Sequence, residues 1–519
     1  MKTLTSFASL SRVKSSLGYN FKMMVQMWKT QRSSVLLYLG CFVFQLLAVS
    51  GVVMYMIGTG TNIAYPGVLI LQLRQPGSAV KLTTEHESWI ASILGLALIS
   101  GMVVAPICLQ RLGRRLTNQL STLPALAGWA LVVAAKGPEV LLASRSLLGF
   151  AMGIQAASAP ISIAEYSSPK HRGAFLTTIA FSFATGILMA HVFGTLLYWR
   201  TAAIACGSCY ILSLILTTLS PETPPYLASK GLTSKCRKSF RWLRNNDPNS
   251  EKELAILLSS QKVQIVSSKK IQEPWFKRLA VMVRKPEFYK PTLIMMFMFI
   301  MFQVSGMTVI PSYTSVIMDE VTSKCIDASV SMLIVDVVRF VSAVIACIIV
   351  NKYPRRFVLF LGICICVPAL LVMSLMLYLR EQGIITEEFK WTPVIPCLIY
   401  IFGQTIGILP IPWAIAGEIF PLAYRSLGSG ISGMFLALMF FLVVKTAPAT
   451  FDAIGVNGTF CIYGVAVAIC GVFLYFLLPE TRGKTLYEIE CHFKGIRPED
   501  LPDVEEEGKM LELQKVEGG

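Results

Sequence analysis

An all-α membrane protein of twelve transmembrane helices, arranged as two six-helix halves, is the architecture the sequence predicts. Three observations predict it. Hydrophobic residues make up 54% of the 519 residues and charged residues 15%, against roughly 25% charged in an average soluble domain. Apolar stretches of about 20 residues, long enough to cross a bilayer as helix, recur along the whole chain. A short motif, Pro-Glu-Thr, closes an apolar block twice, at 221–223 and at 479–481, 258 positions apart.

The spans fall in order at 35–57, 89–109, 117–135, 140–163, 174–197 and 200–219, then at 291–314, 328–350, 357–379, 392–416, 427–447 and 457–478. Around them the chain divides into a polar N-terminal segment (1–34), an N-terminal bundle (35–220), a polar loop (221–290), a C-terminal bundle (291–480) and a tail (481–519). The first 34 residues are polar and basic, and the first apolar run is long enough to span. No cleavable signal peptide is therefore expected. The loop alternates basic and apolar residues, as in Ser239-Phe-Arg-Trp-Leu-Arg244, and predicts short amphipathic helices anchored on the membrane surface. The tail turns acidic at Glu505–Glu507 and reads as disordered.

The net charge of +16 is placed as orientation, not as a nucleic-acid surface. Before span 1 lie Lys2, Arg12, Lys14, Lys22, Lys29 and Arg32 with no acid, after span 2 lie Arg111, Arg114 and Arg115, and 222–290 holds fifteen Lys and Arg. All share one side if the spans alternate. Positive residues stay cytoplasmic, which puts both termini and the central loop in the cytoplasm of a plasma-membrane protein. The thirteen cysteines sit mostly inside spans, as Cys364 and Cys366 do, with Cys325 in a loop on the far side. They form no disulfide framework or metal spacing. The sequon Asn457-Gly458-Thr459 adjoins span 12 too closely for its use to be expected.

The halves repeat in register. Arg-Leu-Gly-Arg-Arg (111–115) follows span 2 and Lys-Tyr-Pro-Arg-Arg (352–356) follows span 8, with Arg114 and Arg355 241 apart. Glu165 precedes Arg172 by seven residues, and Glu418 precedes Arg425 by seven. Basic residues after a span are ordinary topology. The Glu-to-Arg spacing and the repeated Pro-Glu-Thr are not. Two parallel halves about a midplane site is the architecture of a secondary transporter.

These residues carry a family resemblance. Arg145-Ser-Leu-Leu-Gly149, Gly153, Pro160, Glu165, Pro169 and Arg172-Gly173 resemble the span 4–5 signature of the sugar porter family of the major facilitator superfamily. Pro221–Pro224, Ser305-Gly306-Met307 with Tyr313, Pro410-Ile-Pro-Trp413 with Glu418, Pro421 and Arg425, and Pro479–Leu486 complete it, over about residues 36–491. Within that family the chain is most similar to insect facilitated trehalose transporters. The resemblance implies sugar transport by alternating access, without cofactor or metal, in a lipid bilayer and as a monomer. It also implies a cytoplasmic gate of Arg114, Arg115, Glu165, Arg172, Arg355, Arg356, Glu418 and Arg425, with opposite charges bridging the halves. Two acids, a glycine and a basic residue of the family's gate are replaced here by Gln110 and Asn351, Pro354, and Pro225, so a weaker latch is expected.

A sugar needs amides for its hydroxyls and an aromatic plane for a ring face. Gln303 and Trp413 match family positions on spans 7 and 10, and Thr308 stands where the family has a span 7 asparagine. Phe302 stands where the family has a first glutamine, and Leu436-Ala437 where it has Asn-Trp. Trp413 also reads as packing, and Gln303 as a helix–helix hydrogen bond. Span 8 carries Asp336 and Arg339 on one helix face, where relatives commonly place an amide at the arginine's position. Either the two neutralise each other structurally, or Arg339 donates to substrate, which would extend the substrates to sugar acids or organic anions. Span 1 lacks the carboxylate of proton-driven relatives, so passive facilitation is expected over symport. The four histidines, His86, His171, His191 and His492, are scattered and make no catalytic or metal pattern. A non-transporting sugar sensor stays open beside the transporter, because the amides and gate acids are thinned.

Overall fold

The computed structural model describes residues 42–494 except 79, 169–170, 245–249, 256, 259–283, 324, 386–388, 417, 421–424 and 483–485. The basic segment 1–34, much of the central loop, Pro421, part of the Pro479–Leu486 stretch and the acidic tail lie outside the described residues.

Ten described helices are long and apolar enough to cross a membrane. One of them, Leu427–Leu477, belongs to a helical run of 53 residues, Arg425–Leu477. At 1.5 Å per residue that run would measure about 80 Å, far beyond a hydrocarbon core of about 30 Å. Gly455, at φ 72°, breaks it into spans 11 and 12. The more polar Arg114–Ala134 packs between its neighbours as span 3, and the twelve crossings are complete. The others are Phe42–Leu73, Thr84–Arg111, Pro138–Tyr166, Arg172–Leu196 and Trp199–Leu219 in the first half, and Pro286–Thr322, Ala328–Lys352, Arg355–Glu381 and Val394–Ala416 in the second.

Span 1 departs from its expected end. It runs to Leu73 rather than stopping near residue 57, through Gly58-Thr-Gly-Thr-Asn62. Hydropathy misses this stretch because it faces protein. A Cβ on Gly186 of span 5 would lie 2.8 Å from the Cα of Gly60, the Asn62 amide donates to the Tyr210 hydroxyl (2.7 Å), and the Tyr65 hydroxyl donates to the Trp199 carbonyl (2.8 Å). Small and polar residues are what close helix contacts in a membrane require.

Spans 7 and 10 are both irregular, and each stabilises the other. Span 7 unwinds over Ser305–Thr308, with Gly306 at φ 79°. Span 10 carries a π-turn at Gln404–Ile408. The carbonyl of Ser305 accepts from the Tyr400 hydroxyl, and the Gln404 amide also reaches the Ser305 hydroxyl at 3.0 Å. Non-helical backbone at membrane depth persists only where protein satisfies it.

The loop helix Thr233–Arg244 is amphipathic, as expected, but its apolar face is not left on the bilayer. Cys236, Phe240 and Leu243 are buried. Gln45 of span 1 donates to the Leu243 carbonyl (3.2 Å), and Arg244 donates to that of Ser167 (2.7 Å). The helix is fastened to the first half. Asn457 of the sequon is taken up by a 2.7 Å hydrogen bond to Glu381.

Candidate functional site

The repeated Pro-Glu-Thr has a structural cause. Span 3 starts at Arg114 after Gly113, and span 9 at Arg355 after Pro354. Neither preceding residue offers a side chain to the free N–H groups of the first turn. In each half the motif's glutamate supplies the acceptor. Glu222 accepts from the backbone N–H of Arg114 (3.0 Å) and Arg115 (3.2 Å). Glu480 accepts from those of Arg355 and Arg356 (3.0 Å each). A carboxylate at a helix N-terminus satisfies orphan donors and complements the helix dipole. Glu480→Ala is expected to destabilise by about 1–2 kcal/mol, read as a lower thermal unfolding midpoint in detergent, whereas an unchanged midpoint would deny the cap its role.

The arginines of these turns continue the repeat. Arg114 pairs with Glu165 (2.6 Å) and Arg355 with Glu418 (3.4 Å). Arg115 donates to the Thr218 carbonyl (2.6 Å) and Arg356 to that of Tyr475 (2.8 Å). Thr481 donates to Glu418 (2.7 Å). These pairs close within one half each and do not bridge the halves as expected, because the caps draw the ends of spans 3, 4 and 6, and of 9, 10 and 12, onto one another. Arg172 likewise donates to the Ala164 carbonyl of its own half (3.1 Å). Arg425 opens span 11, and its side chain lies outside the described residues. Asn351 donates to Cys347 on its own helix (2.7 Å).

Between the halves, from mid-membrane toward this basic face, lies a cavity, a concave, mostly apolar site of the kind that takes small molecules. Spans 1, 2, 4, 5, 7, 10 and 11 line it. Gln303, Thr308 and Trp413 are brought together there. Thr308 donates to the Gln303 carbonyl oxygen (2.7 Å), which leaves the amide nitrogen as a donor. Phe299 and Phe302 hold Trp413 at ring distances of 6.2 and 6.4 Å. Phe302, Leu436 and Ala437, which with Thr308 stand where the resemblance implies amides and an aromatic, all line it, beside methionines 56, 102, 152 and 307. Thr59 adds a hydroxyl that sequence reasoning missed. No charged side chain lines the cavity among the described residues.

Span 8, and with it Arg339, stays out of this lining. Arg339 donates to Asp336 (2.6 Å), and both side chains are 0% exposed. The other oxygen of Asp336 meets Nδ1 of His191, on span 5 of the opposite half, in a contact also wholly buried. His191 Nε2 lies 3.3 Å from the Pro311 carbonyl oxygen. The group sits about two helical turns from the face opposite the arginine clusters. Nearby, Ser312 donates to the Ile63 carbonyl (3.3 Å) and Ser88 to that of Lys445 (3.1 Å), and the halves are closed there. Sequence reasoning misses His191 because its partner lies 145 residues away. A lone histidine in a 25-residue apolar helix is the only signal it leaves.

Comparison with known proteins agrees with this geometry. The family model described as "Sugar (and other) transporter" matches residues 21–493. The chain is 31% identical to the facilitated trehalose transporter Tret1 of Apis mellifera ligustica over 88% of its own length and 89% of that protein. It is also 31% identical to that of Bombyx mori, over 86% of each. Its fold superposes on the proton:xylose symporter XylE bound to 6-bromo-6-deoxy-D-glucose with a TM-score of 0.70, at 19% identity, over 88% of this chain and 99% of that one. The inward-open xylose transporter XylE from E. coli gives 0.67 at 18% identity, over 87% and 99%. The chain belongs to the sugar (and other) transporter family, a multi-pass membrane protein with the major facilitator superfamily fold.

Proposed function

We propose that this chain is a facilitative transporter of trehalose or a hexose in the plasma membrane, working by alternating access with its basic face in the cytoplasm. The observation that carries the reading is the cavity between the halves, where one amide donor, two threonine hydroxyls and an indole face apolar surface. That is the mixture a sugar's edges and ring faces require. The intra-half charge clusters support rigid halves that rock about this cavity. The positive-inside rule supports the orientation. Described span 1, Phe42–Leu73, holds no Asp or Glu, which supports passive flux. The uncharged lining speaks against sugar acids and organic anions, and the pairing of Arg339 with Asp336 removes the cation such solutes would need.

Uptake into liposomes containing the pure protein, across trehalose, glucose, fructose and glucuronate, tests this. Flux of a neutral sugar without flux of glucuronate is expected. The scarcity of amides favours a second reading, a sensor that binds sugar without moving it, and binding with no flux for any sugar would select it. Gln303→Ala is expected to raise the half-saturating sugar concentration about tenfold, the equivalent of about 1.4 kcal/mol for one lost hydrogen bond. An unchanged value would remove Gln303 from the site.

A further inference from the structure

We propose that the cavity between the halves takes a sugar bearing an apolar substituent, a glycoside with an aromatic or branched aliphatic aglycone, in preference to a free hexose or trehalose. The proposal narrows the sugar-transport reading and rests on it for the polar end of the site. Donors and acceptors there are few. Thr308 commits its hydroxyl proton to Gln303 (2.7 Å), and Thr59 commits its own to the Tyr55 carbonyl (3.1 Å). One amide donor, from Gln303, and the lone pairs of the two hydroxyls are what they leave for a solute. The indole N–H of Trp413 is buried, and its ring contributes a face. These groups match one edge of a pyranose. Hydroxyls beyond that edge would exchange water for carbon, and an unmatched hydroxyl in such a site is unfavourable.

The rest of the lining is apolar, and it is segregated. Among the described residues, the lining side chains able to hydrogen-bond come from spans 1, 7 and 10, while spans 2, 4, 5 and 11 contribute apolar side chains alone. Spans 2 and 11 meet: a Cβ added to Gly433 would lie 3.2 Å from the Met102 sulfur, and one added to Gly95 would strike the Phe440 ring. Leu98, Met102, Leu436 and Phe440 line the cavity from this seam, and with Met152 of span 4 they belong to one packed apolar cluster. Methionine is unbranched and adaptable, and surfaces rich in it accept apolar groups of varied shape. An aglycone replaces the anomeric hydroxyl, a group this wall cannot serve, by apolar surface whose transfer out of water is favourable. The sugar edge then lies on Gln303, Thr308 and Thr59, and the aglycone on the wall of spans 2 and 11.

The test uses the full chain, in lipid nanodiscs for binding and in liposomes for flux, with protein-free particles subtracted. Titration calorimetry compares phenyl β-D-glucoside, methyl β-D-glucoside, glucose and trehalose. The dissociation constant for the phenyl glucoside is expected to lie at least about tenfold below that for glucose, with the methyl glucoside between them. Glucose or trehalose bound as tightly as the phenyl glucoside overturns the proposal. Phenol alone is expected not to displace the phenyl glucoside at equal concentration, and displacement would show that the sugar end is not held and overturn it too. Leu436→Asn puts an amide into the wall and is expected to cut the preference for phenyl glucoside over glucose by about threefold or more. Should that variant not fold, Phe302→Gln is read instead, with the same fall expected. A preference unchanged in the folded variant takes the aglycone off this wall and overturns the proposal. Phenyl glucoside bound preferentially with no solute moved would sink the transport reading and leave this site standing. Glucose flux with no preference for the phenyl glucoside would do the reverse.

Discussion

Replacing Asp336 by alanine is expected to leave little folded transporter. The carboxylate holds Arg339 of its own helix and His191 of the other half, and all three side chains are 0% exposed. The arginine's other two nitrogens, Nε and Nη2, have no hydrogen-bond partner among the described residues. Removing the acid strands a buried guanidinium, and breaking a buried pair in this way costs about 3–5 kcal/mol, comparable with the whole stability margin of about 5–15 kcal/mol for many domains. The measurement is the monodisperse fraction and thermal midpoint after detergent extraction. The companion variant decides the cause. Asp336→Leu with Arg339→Met removes both charges, and apolar replacement of a buried pair is often neutral or stabilising. The double variant should recover most of what Asp336→Ala loses. If Asp336→Ala extracts as well as the parent chain, or the double variant fails equally, the stranded charge is not the reason for the loss.

The sequence made legible what rests on periodicity and local composition. Spans 2 to 6 and 8 to 10 lie within a few residues of their expected limits, because an apolar helix facing lipid declares itself one residue at a time. The second half of span 1 did not, because Gly60 and Asn62 face spans 5 and 6, and a helix facing protein need not be apolar. The repeat was visible as Pro-Glu-Thr, but its work was not. Glu222 and Glu480 act on backbone N–H groups more than 100 positions away, and backbone donors leave no signature in side-chain sequence. The cavity was legible through Gln303, Thr308 and Trp413, whose residue types suit a sugar. The partnership of His191 with Asp336 needed the packing of span 5 on span 8, which no pattern within either span announces. Arg339 shows the converse: its position left both a structural pair with Asp336 and a substrate contact open, and only the packed structure shows the pair.

Gly153→Val is expected to be the second large loss, again in folding rather than in sugar handling. A Cβ built on Gly153 of span 4 would lie 2.9 Å from the Cα of Gly101 on span 2 and closer still to the Leu98 carbonyl oxygen. Gly101 stands in the reciprocal position against Gly153 and the Phe150 carbonyl. The obstructing atoms are backbone on both sides, so no rotamer change relieves the clash, and the helices must separate along the crossing. Overpacking ordinarily costs about 1–3 kcal/mol, occasionally more, and this site belongs at the upper end because nothing flexible yields. Separation also forfeits the close van der Waals contact that holds membrane helices together in the absence of a hydrophobic drive between them. Gly430 of span 11 is the control, since nothing lies within 4 Å of a Cβ added there. Gly430→Ala should be neutral or slightly stabilising, as alanine has the better helix propensity by up to about 1 kcal/mol. Thermal midpoints and monodisperse yields of the two variants, measured side by side, test the contrast. Equal behaviour at positions 153 and 430 would mean that the span 2–span 4 crossing is looser than its glycines imply.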